Sequence, residues 1–426
     1  MISVADIEIV HPIDVDEASA WFASMATTFL LDPDPQERES SDAKRRRGWP
    51  GIRHWGARAD GRWVATLGTM TRSLSVPGRD GRTELVSADA LTMVTVAGTH
   101  RRRGLLRRML SESLDLARER GDAVAILFAA EWGIYGRFGY APATFAASYQ
   151  LDPRMRGASL PPEAATGGTL RQVEAAEIGK YGPEIFEAAR RQRSGNIDRE
   201  AFWWERTFGL HGLTPDKTRG RVPTFILHTG ATGPDGYVGW IGEGTMDDGG
   251  SNTIDVVHLC AATPQAYRNL WTYLTNLDLV ERIRLGGRPV DEPVRWLLGD
   301  GRALQQVHHE DALWLRVLDV PAALSARRYA VADELTFDVV DDDVGGYAAG
   351  RFVLRADPDG AECVSSPGSA VDLRIGQRAL ASCYLGGVSL RAQLDAGQIE
   401  EITPGALDRA DTMFGTAIAP WCATDF

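Results

Sequence analysis

The stretch that decides the fold is VTVAGTHRRRGLLRRM, residues 94–109. A β-rich run that begins at Glu84 ends at Val96, and a short basic turn with glycines follows it. A helical run from Gly104 to Arg120 comes next, and then a continuous apolar run over residues 123–130. Strand, helix and strand in this order predict a βαβ unit whose two strands are parallel.

The basic turn has the residues that an anion site needs. Free N–H groups and the positive end of the helix dipole attract a phosphate, and Gly104 lets it approach the backbone without a Cβ in the way. Arg101, Arg102 and Arg103 add charge-assisted hydrogen bonds. A solvated basic face or a nucleic-acid patch is the alternative reading of three arginines. The strongly acidic remainder of the chain favours a local pyrophosphate site.

Composition narrows the class of protein. The 426 residues are 44% hydrophobic and 24% charged, which indicates a globular protein of two or three domains. The net charge of −12 argues against a nucleic-acid partner and is compatible with cationic acceptors. An acidic start without an apolar segment, and no run long enough for a membrane span, predict a cytoplasmic protein.

The cysteines give no sign of a metal or disulfide site. Cys260, Cys363, Cys383 and Cys422 lie far apart, with no CxxC and no histidine at ligand spacing. We expect reduced, structural thiols and no metal. The eight histidines form no recognisable triad either, and His100 in the basic turn is read as a phosphate neighbour or a helix cap.

Pattern breaks divide the chain into three zones. A stretch rich in Pro, Gly and Ala over residues 151–168 predicts a boundary near 150, and a second break falls near 310. The predicted domains are 1–150, 151–310 and 311–426. The third zone alternates short strands with helices, as an α+β module does.

The second zone contains a fainter copy of the same unit. A strand over residues 253–259, a helix over 264–277 and a strand over 280–285 repeat the βαβ order. The turn of this copy, AATPQA at 261–266, has neither a glycine nor a basic cluster. A duplicated fold that lost its ligand site and two unrelated βαβ units both fit this pattern.

The spacing Arg101-x-x-Gly104-x-Leu106 resembles the acetyl-CoA signature of GNAT acetyltransferases, with Leu106 in place of the usual small residue. Residues 94–106 together with GIYGRFGYAPAT at 133–144 resemble one branch in particular, the Eis (enhanced intracellular survival) acetyltransferases. The similarity continues through residues 313–324 to Asp425 and Phe426, so it covers the whole chain.

This resemblance implies a fold class and a function. The fold is two tandem GNAT domains of mixed α/β and α+β type, the first catalytic and the second degenerate, followed by a sterol-carrier-like α+β domain. The family is homohexameric and uses acetyl-CoA to acetylate primary amines of polycationic acceptors such as aminoglycosides, often at several positions. Two other functions stay open: a lysine acetyltransferase of proteins or peptides, and a lipid or sterol carrier that uses the third zone.

The resemblance also assigns site residues. The strand before the turn offers backbone N–H groups to the thioester and pantetheine, and its side chains are not expected to contact the cofactor. The implied cofactor-binding residues are Val94, Thr95, Val96, Arg101, Arg102, Arg103, Gly104, Leu105, Leu106, Arg107, Ala130 and Glu131. Ala130 departs from the serine expected just before the glycine loop, and its contact would pass through the backbone.

Two residues carry the implied chemistry. Tyr135 is the general acid toward the CoA sulfur, because a phenol is protonated at neutral pH and can donate; Tyr140 ranks second. The carboxylate of Phe426 is the base that deprotonates the acceptor. Phe29, Asp32 and Asp425 are the expected substrate-binding residues.

Overall fold

The computed structural model describes residues 7–31, 46–161, 165, 167–210, 221–243, 252–341 and 343–426. The strands of this part are β1 Glu8–Val10, β2 Arg53–Ala59, β3 Arg62–Pro77, β4 Thr83–Val96, β5 Val124–Phe128, β6 Ala141–Pro142, β7 Phe145–Leu151, β8 Thr169–Val173, β9 Thr224–Gly230, β10 Gly233–Glu243, β11 Thr253–Ala261, β12 Arg282–Arg288, β13 Leu304–Asp311, β14 Leu313–Val317, β15 Asp333–Val340, β16 Gly350–Ala356, β17 Ala361–Ser365, β18 Leu373–Gly376 and β19 Ile399–Glu401.

The helices of the described residues connect these strands. They are α1 Ala18–Thr28, α2 Leu105–Glu119, α3 Trp132–Tyr135, α4 Ala175–Arg190, α5 Ala201–Phe208, α6 Pro264–Thr275, α7 Val320–Ala326, α8 Gln377–Cys383, α9 Leu390–Asp395 and α10 Ala406–Phe414. The chain forms two compact units. The first contains residues up to 144, residues 312–417 and residues 425–426; the second contains residues 145–311 and 418–424.

The first sheet of the first unit contains the predicted βαβ motif. Its strand order is β1-β2-β3-β4-β5-β14-β6, and β4 and β5 are its parallel pair. Helix α2 connects these two strands and buries one stripe of side chains against the sheet: Leu105, Met109, Leu110, Ser113, Leu114 and Ala117. The prediction of strand, helix and strand around the basic turn is therefore confirmed.

The two predicted boundaries do not coincide with the edges of the sheets. Strand β7 crosses the boundary near 150 and pairs with β12 and β13 in the second sheet. Strand β14, which the prediction gave to the third domain, inserts between β5 and β6 of the first sheet. Each of these two strands pairs in a sheet whose other strands belong mainly to a different predicted domain. The hydrophobic period of a strand does not show which distant strand it pairs with.

The second unit contains a seven-stranded sheet with the order β13-β7-β12-β11-β10-β9-β8. Strands β11 and β12 are parallel and are joined by α6, which is the second βαβ unit of the sequence. The segment 418–424 also belongs to this unit. Arg199 there donates to the Ala423 carbonyl at 2.8 Å and to Thr424 Oγ1 at 2.9 Å.

The third sheet belongs to the first unit. It has the order β17-β16-β15-β18-β19, with α7 to α10 in the same part of the chain. Arg327 is fully buried there and donates to the carbonyls of Tyr384 and Phe414. This region is the α+β module that the third zone predicts. All four cysteines are free thiols, and none of the helices described above is long and apolar enough to cross a membrane.

Candidate active site

Strands β4 and β5 separate toward their carboxyl ends. Their parallel pairing runs from Ala88 to Leu91 and then stops. Between Thr66 and Gly68 the β3–β4 register shifts, so that Met93 and Val94 oppose Leu67 alone, and Met93 takes a φ of 53°. A β-bulge of this kind bends its strand. In the described part of the chain no strand pairs with the β5-facing edge of β4 beyond Leu91, which leaves a slot between the two strands.

The last residue of the chain lies in this slot. The Thr92 hydroxyl donates to the terminal oxygen of Phe426 at 3.2 Å. The Phe426 ring packs edge-on against Phe128 with the ring centroids 5.3 Å apart. Thr92 is the first β4 residue beyond the parallel pairing and Phe128 is the last residue of β5. Neither Thr92 nor Phe128 is among the site residues predicted from the sequence, and the only signal in the sequence is the position of Phe128 near the end of an apolar run.

The basic turn leaves the N-terminus of α2 open. Gly104 is the N-cap residue with a φ of 74°, and no side chain caps the helix there. A Cβ placed on Gly104 would meet no atom of the described residues within 4 Å. Arg102 also adopts a left-handed φ, of 63°. The exposed helix end therefore offers backbone N–H groups and a positive dipole end, and this geometry fits the pyrophosphate of a CoA ester.

The arginines of the turn differ in what they contact. Arg101 and Arg102 are exposed. Arg103 is half-buried and donates to the Thr99 carbonyl at 3.4 Å, which ties the turn together. His100 is buried and its Nδ1 lies 2.9 Å from the Thr99 hydroxyl. Arg101 and Arg102 are thus the side chains most available to a phosphate.

The other residues predicted to bind the cofactor differ in how far they are buried. Val94, Val96 and Leu106 are half-buried against the core of the first sheet, Leu105 lies within that core, and Thr95 is buried. The Thr95 hydroxyl lies 2.6 Å from that of Thr66, so its side chain is already engaged. These buried and half-buried positions can therefore contact a cofactor only through their backbone groups. The exposed positions of the set are Arg107, Ala130 and Glu131.

Tyr135 and Tyr140 lie in the same loop but in different surroundings. Tyr135 ends helix α3 and is 7% exposed, whereas Tyr140 is wholly buried and its hydroxyl has no hydrogen-bond partner among the residues that the structure describes. Burial raises the pKa of Tyr135 to about 12, with a smaller contribution from the Glu131 carboxylate. Burial raises the pKa of Tyr140 even further. Both phenols are protonated at neutral pH, and Tyr135 is the one that is not sealed.

The residues predicted to bind the substrate, Phe29, Asp32 and Asp425, lie in different parts of the chain. Phe29 follows α1 and is 44% exposed, and the next two residues, Leu30 and Leu31, are exposed as well. Asp32 lies outside the described residues. Asp425 is half-buried beside Phe426 in the chain. Asp425 thus directly precedes the residue that contacts Thr92 and Phe128, and Phe29 lies at the surface.

The corresponding turn of the second unit is closed by its own residues. Thr263 caps helix α6 by accepting from the Ala266 N–H at 3.1 Å, and Pro264 occupies the first turn. The Thr263 hydroxyl donates to Asp235 Oδ2 at 2.7 Å. A capped helix end beside a carboxylate repels a phosphate where α2 would attract one.

Comparison with known proteins agrees with this geometry. Residues 10–143 and 195–317 each match the family model of an acetyltransferase (GNAT) domain, and residues 320–423 match that of a sterol carrier protein domain. The sheet with its slot and open helix end therefore belongs to a GNAT N-acetyltransferase.

Comparison with individual relatives shows which branch of the GNAT N-acetyltransferases the chain resembles. An uncharacterized N-acetyltransferase of Streptomyces griseus is 39% identical over 98% of this chain and 99% of its own length. The N-acetyltransferase Eis of Mycobacterium tuberculosis is 33% identical over 84% of each chain. The crystal structure of Eis1 from Mycobacterium abscessus has a TM-score of 0.83 and 31% identity, covering 98% of this chain and 100% of that one. The chain belongs to the Eis family of N-acetyltransferases.

The resemblance, the tandem GNAT folds with a sterol-carrier-like domain, and the enzyme class are confirmed. In the residues that the structure describes, no group of His, Cys, Asp and Glu is arranged to hold a metal ion.

Proposed function

We propose that the first unit transfers acetyl from acetyl-CoA to primary amines of polycationic acceptors such as aminoglycosides, at more than one position of the acceptor. The observation that carries the proposal is the terminal carboxyl of Phe426, which lies between the diverging ends of β4 and β5 and accepts from Thr92. GNAT enzymes use acetyl-CoA, and the open end of α2 at Gly104 fits its pyrophosphate. The thioester supplies the acetyl group when it is bound there.

The base of the proposed reaction is the carboxylate of Phe426. A terminal carboxyl ordinarily has a pKa near 3.5, so it is ionised at neutral pH and can accept a proton from an ammonium group. The Thr92 hydroxyl and the Phe128 ring hold this residue from two sides. A fixed base at the slot delivers a neutral amine where it is needed.

The acid of the proposed reaction is Tyr135. Its raised pKa keeps the phenol protonated, so Oη can donate its proton to the departing sulfur. The edge of β4 beyond Leu91, with which none of the described strands pairs, offers backbone N–H groups to the thioester carbonyl, where negative charge develops. Base, acid and carbonyl donors all come from the first unit.

The proposed acceptor class follows from charge. The net charge of −12 attracts cations over long range, and Asp425 adjoins the proposed base. We include Phe29 and Asp32 in the acceptor site by resemblance. Hexameric assembly stays a prediction of the same resemblance, and a cytoplasmic location stays a prediction from the sequence.

Acetyl-CoA consumption across a panel of aminoglycosides, polyamines, lysine peptides and neutral amines tests the acceptor class. We expect turnover with polycationic amines, and an acceptor KM that rises with salt, because screening weakens long-range attraction. Mass spectrometry of the product counts the acetyl groups. Preference for lysine peptides would assign the protein-acetylating function instead, and turnover confined to neutral or anionic amines would refute the proposal.

Replacing Gly104 by valine tests the cofactor turn. We expect a loss of acetyl-CoA affinity of about 10- to 100-fold, since a β-branched side chain resists the left-handed φ and obstructs the phosphate's charge-assisted bonds. Isothermal titration calorimetry measures the change.

The matched control is Gly405→Val. Gly405 is the N-cap residue of α10, with a φ of 84° and no side-chain cap, and a Cβ there meets nothing within 4 Å either. This variant should lose similar stability and keep its acetyl-CoA affinity. Equal affinities for wild type and Gly104→Val would place the pyrophosphate elsewhere.

A further inference from the structure

The loop that follows Tyr135 is held by two side chains from the C-terminal part of the chain. Arg316, on β14, donates through Nη1 to the Phe138 carbonyl. Gln377, the first residue of α8, donates through Nε2 to the Gly139 carbonyl at 3.3 Å and to the Val317 carbonyl at 3.2 Å. Two consecutive carbonyls of the loop thus accept from residues that lie more than 170 positions further along the chain.

Both donors are sealed inside the first unit. Arg316 has no exposed surface and Gln377 is 1% exposed. Arg316 Nη2 donates to the Val344 carbonyl and lies 3.8 Å from Asp341 Oδ2. The guanidinium carbon also lies 4.8 Å from the Tyr347 ring centroid. A planar guanidinium fixed at so many points holds the loop carbonyl in one place.

The loop is shaped to receive these donors. Gly139 has a φ of 79°, and a Cβ there would lie 3.1 Å from Arg316 Nε. Glycine adopts this backbone without strain and leaves room for the guanidinium, whereas a side chain would be strained and would crowd Arg316. The Gly139 N–H donates to the Gly136 carbonyl at 3.0 Å, and the Tyr140 N–H donates to the Tyr135 carbonyl at 3.3 Å. The backbone of Tyr135 is therefore bonded into the same turn that Arg316 and Gln377 hold.

A second contact fixes the start of helix α3. The Trp132 ring packs edge-on against Trp314 of β14, with the ring centroids 5.0 Å apart. Tyr135 is thus flanked on both sides in sequence by residues that the C-terminal part of the chain secures. Val344 and Tyr347 complete this support, because they pack against the core cluster that contains Tyr135, Phe138 and Tyr140.

We propose that Gln377 and Arg316 are positioning residues for Tyr135, so that the region around β14 and the third sheet serves acetyl transfer by setting the place of the general acid. This inference rests on the proposed function, in which Tyr135 donates a proton to the leaving sulfur. Burying an amide is unfavourable unless it is hydrogen-bonded, and Gln377 directs its donors at a loop carbonyl and at the end of β14. An apolar residue would fill the same space but would not fix the loop.

A double-mutant cycle tests the inference. We expect Gln377→Met to lower kcat by about 10- to 100-fold, because a small displacement of a catalytic group has effects of this size, with the acetyl-CoA dissociation constant unchanged. In a Tyr135→Phe background the same substitution should lower kcat by less than about 2-fold, since the group it positions is gone. Gln398→Met, at an exposed glutamine of the same region, is the control and should match wild type in both backgrounds.

The cycle distinguishes a lower kcat caused by displacement of Tyr135 from a lower rate caused by a smaller fraction of folded enzyme. A variant that is partly unfolded loses rate equally in both backgrounds, so equal losses would overturn the inference, as would a wild-type kcat for Gln377→Met. Arg316→Lys provides a second cycle, because lysine keeps the charge near Asp341 without the planar fork that reaches two carbonyls. Wild-type turnover by Tyr135→Phe itself would instead overturn the proposed function.

Discussion

Deletion of Phe426 is expected to lower kcat by about 10²- to 10⁴-fold, the usual effect of losing a general base, while acetyl-CoA binding is retained. The deletion moves the terminal carboxylate back by one residue, about 3.5 Å of chain. It also removes the ring that packs on Phe128 and the oxygen that accepts from Thr92. Steady-state kinetics with a polycationic acceptor measures the change.

Two matched variants separate the carboxylate from the ring. Phe426→Leu keeps a terminal carboxylate and should retain most of kcat, whereas a C-terminal extension keeps the ring and converts the carboxylate to an amide. The extended chain should be as slow as the deletion. Its rate should recover as the pH rises toward the amine pKa, because solution then supplies the neutral acceptor. A C-terminally extended enzyme with the wild-type rate at neutral pH would reduce Phe426 to a packing residue.

Tyr135→Phe should lower kcat by about 10²-fold or more, because the departing thiolate then leaves without a proton. With a pKa of about 12, the Tyr135 phenol stays protonated at all pH values below about 11. Its deprotonation should therefore not lower kcat as the pH is raised to about 11. Rates measured between pH 6 and 10 in both enzymes check the assignment.

Tyr140→Phe is the control for Tyr135→Phe. The hydroxyl that it removes is buried and has no hydrogen-bond partner in the described part of the chain, so the variant should keep wild-type turnover and equal or greater stability. If Tyr140→Phe is the slow variant and Tyr135→Phe is not, the roles of the two tyrosines are reversed.

The parts of the fold that sequence predicts are those with local patterns. Strand β4, helix α2 and strand β5 follow from a β-rich run, a 3.6-residue apolar period and a short apolar run. The start of helix α2 at Gly104 was predictable because a glycine ends the basic turn just before the apolar helical period begins.

The parts that sequence does not predict depend on distant pairing. Nothing in residues 313–317 shows that they pair with β5, and nothing in residues 145–151 shows that they leave the first sheet. The contacts of Phe426 with Thr92 and Phe128 span about 300 residues. Gln377 is one glutamine among several until the fold places it against the Gly139 carbonyl.

The central claim is that the terminal carboxylate of Phe426 acts as the base, and changing that group alone tests it most directly. Ligation of a synthetic C-terminal peptide can replace the carboxylate with a primary amide, so that every side chain is unchanged. The measurement is kcat at neutral pH with saturating acetyl-CoA and acceptor, against the same ligation with a free carboxylate. We expect the amide to be slower by about 10²-fold or more, with equal acetyl-CoA affinity. Equal kcat values for the two ligated enzymes would contradict the account.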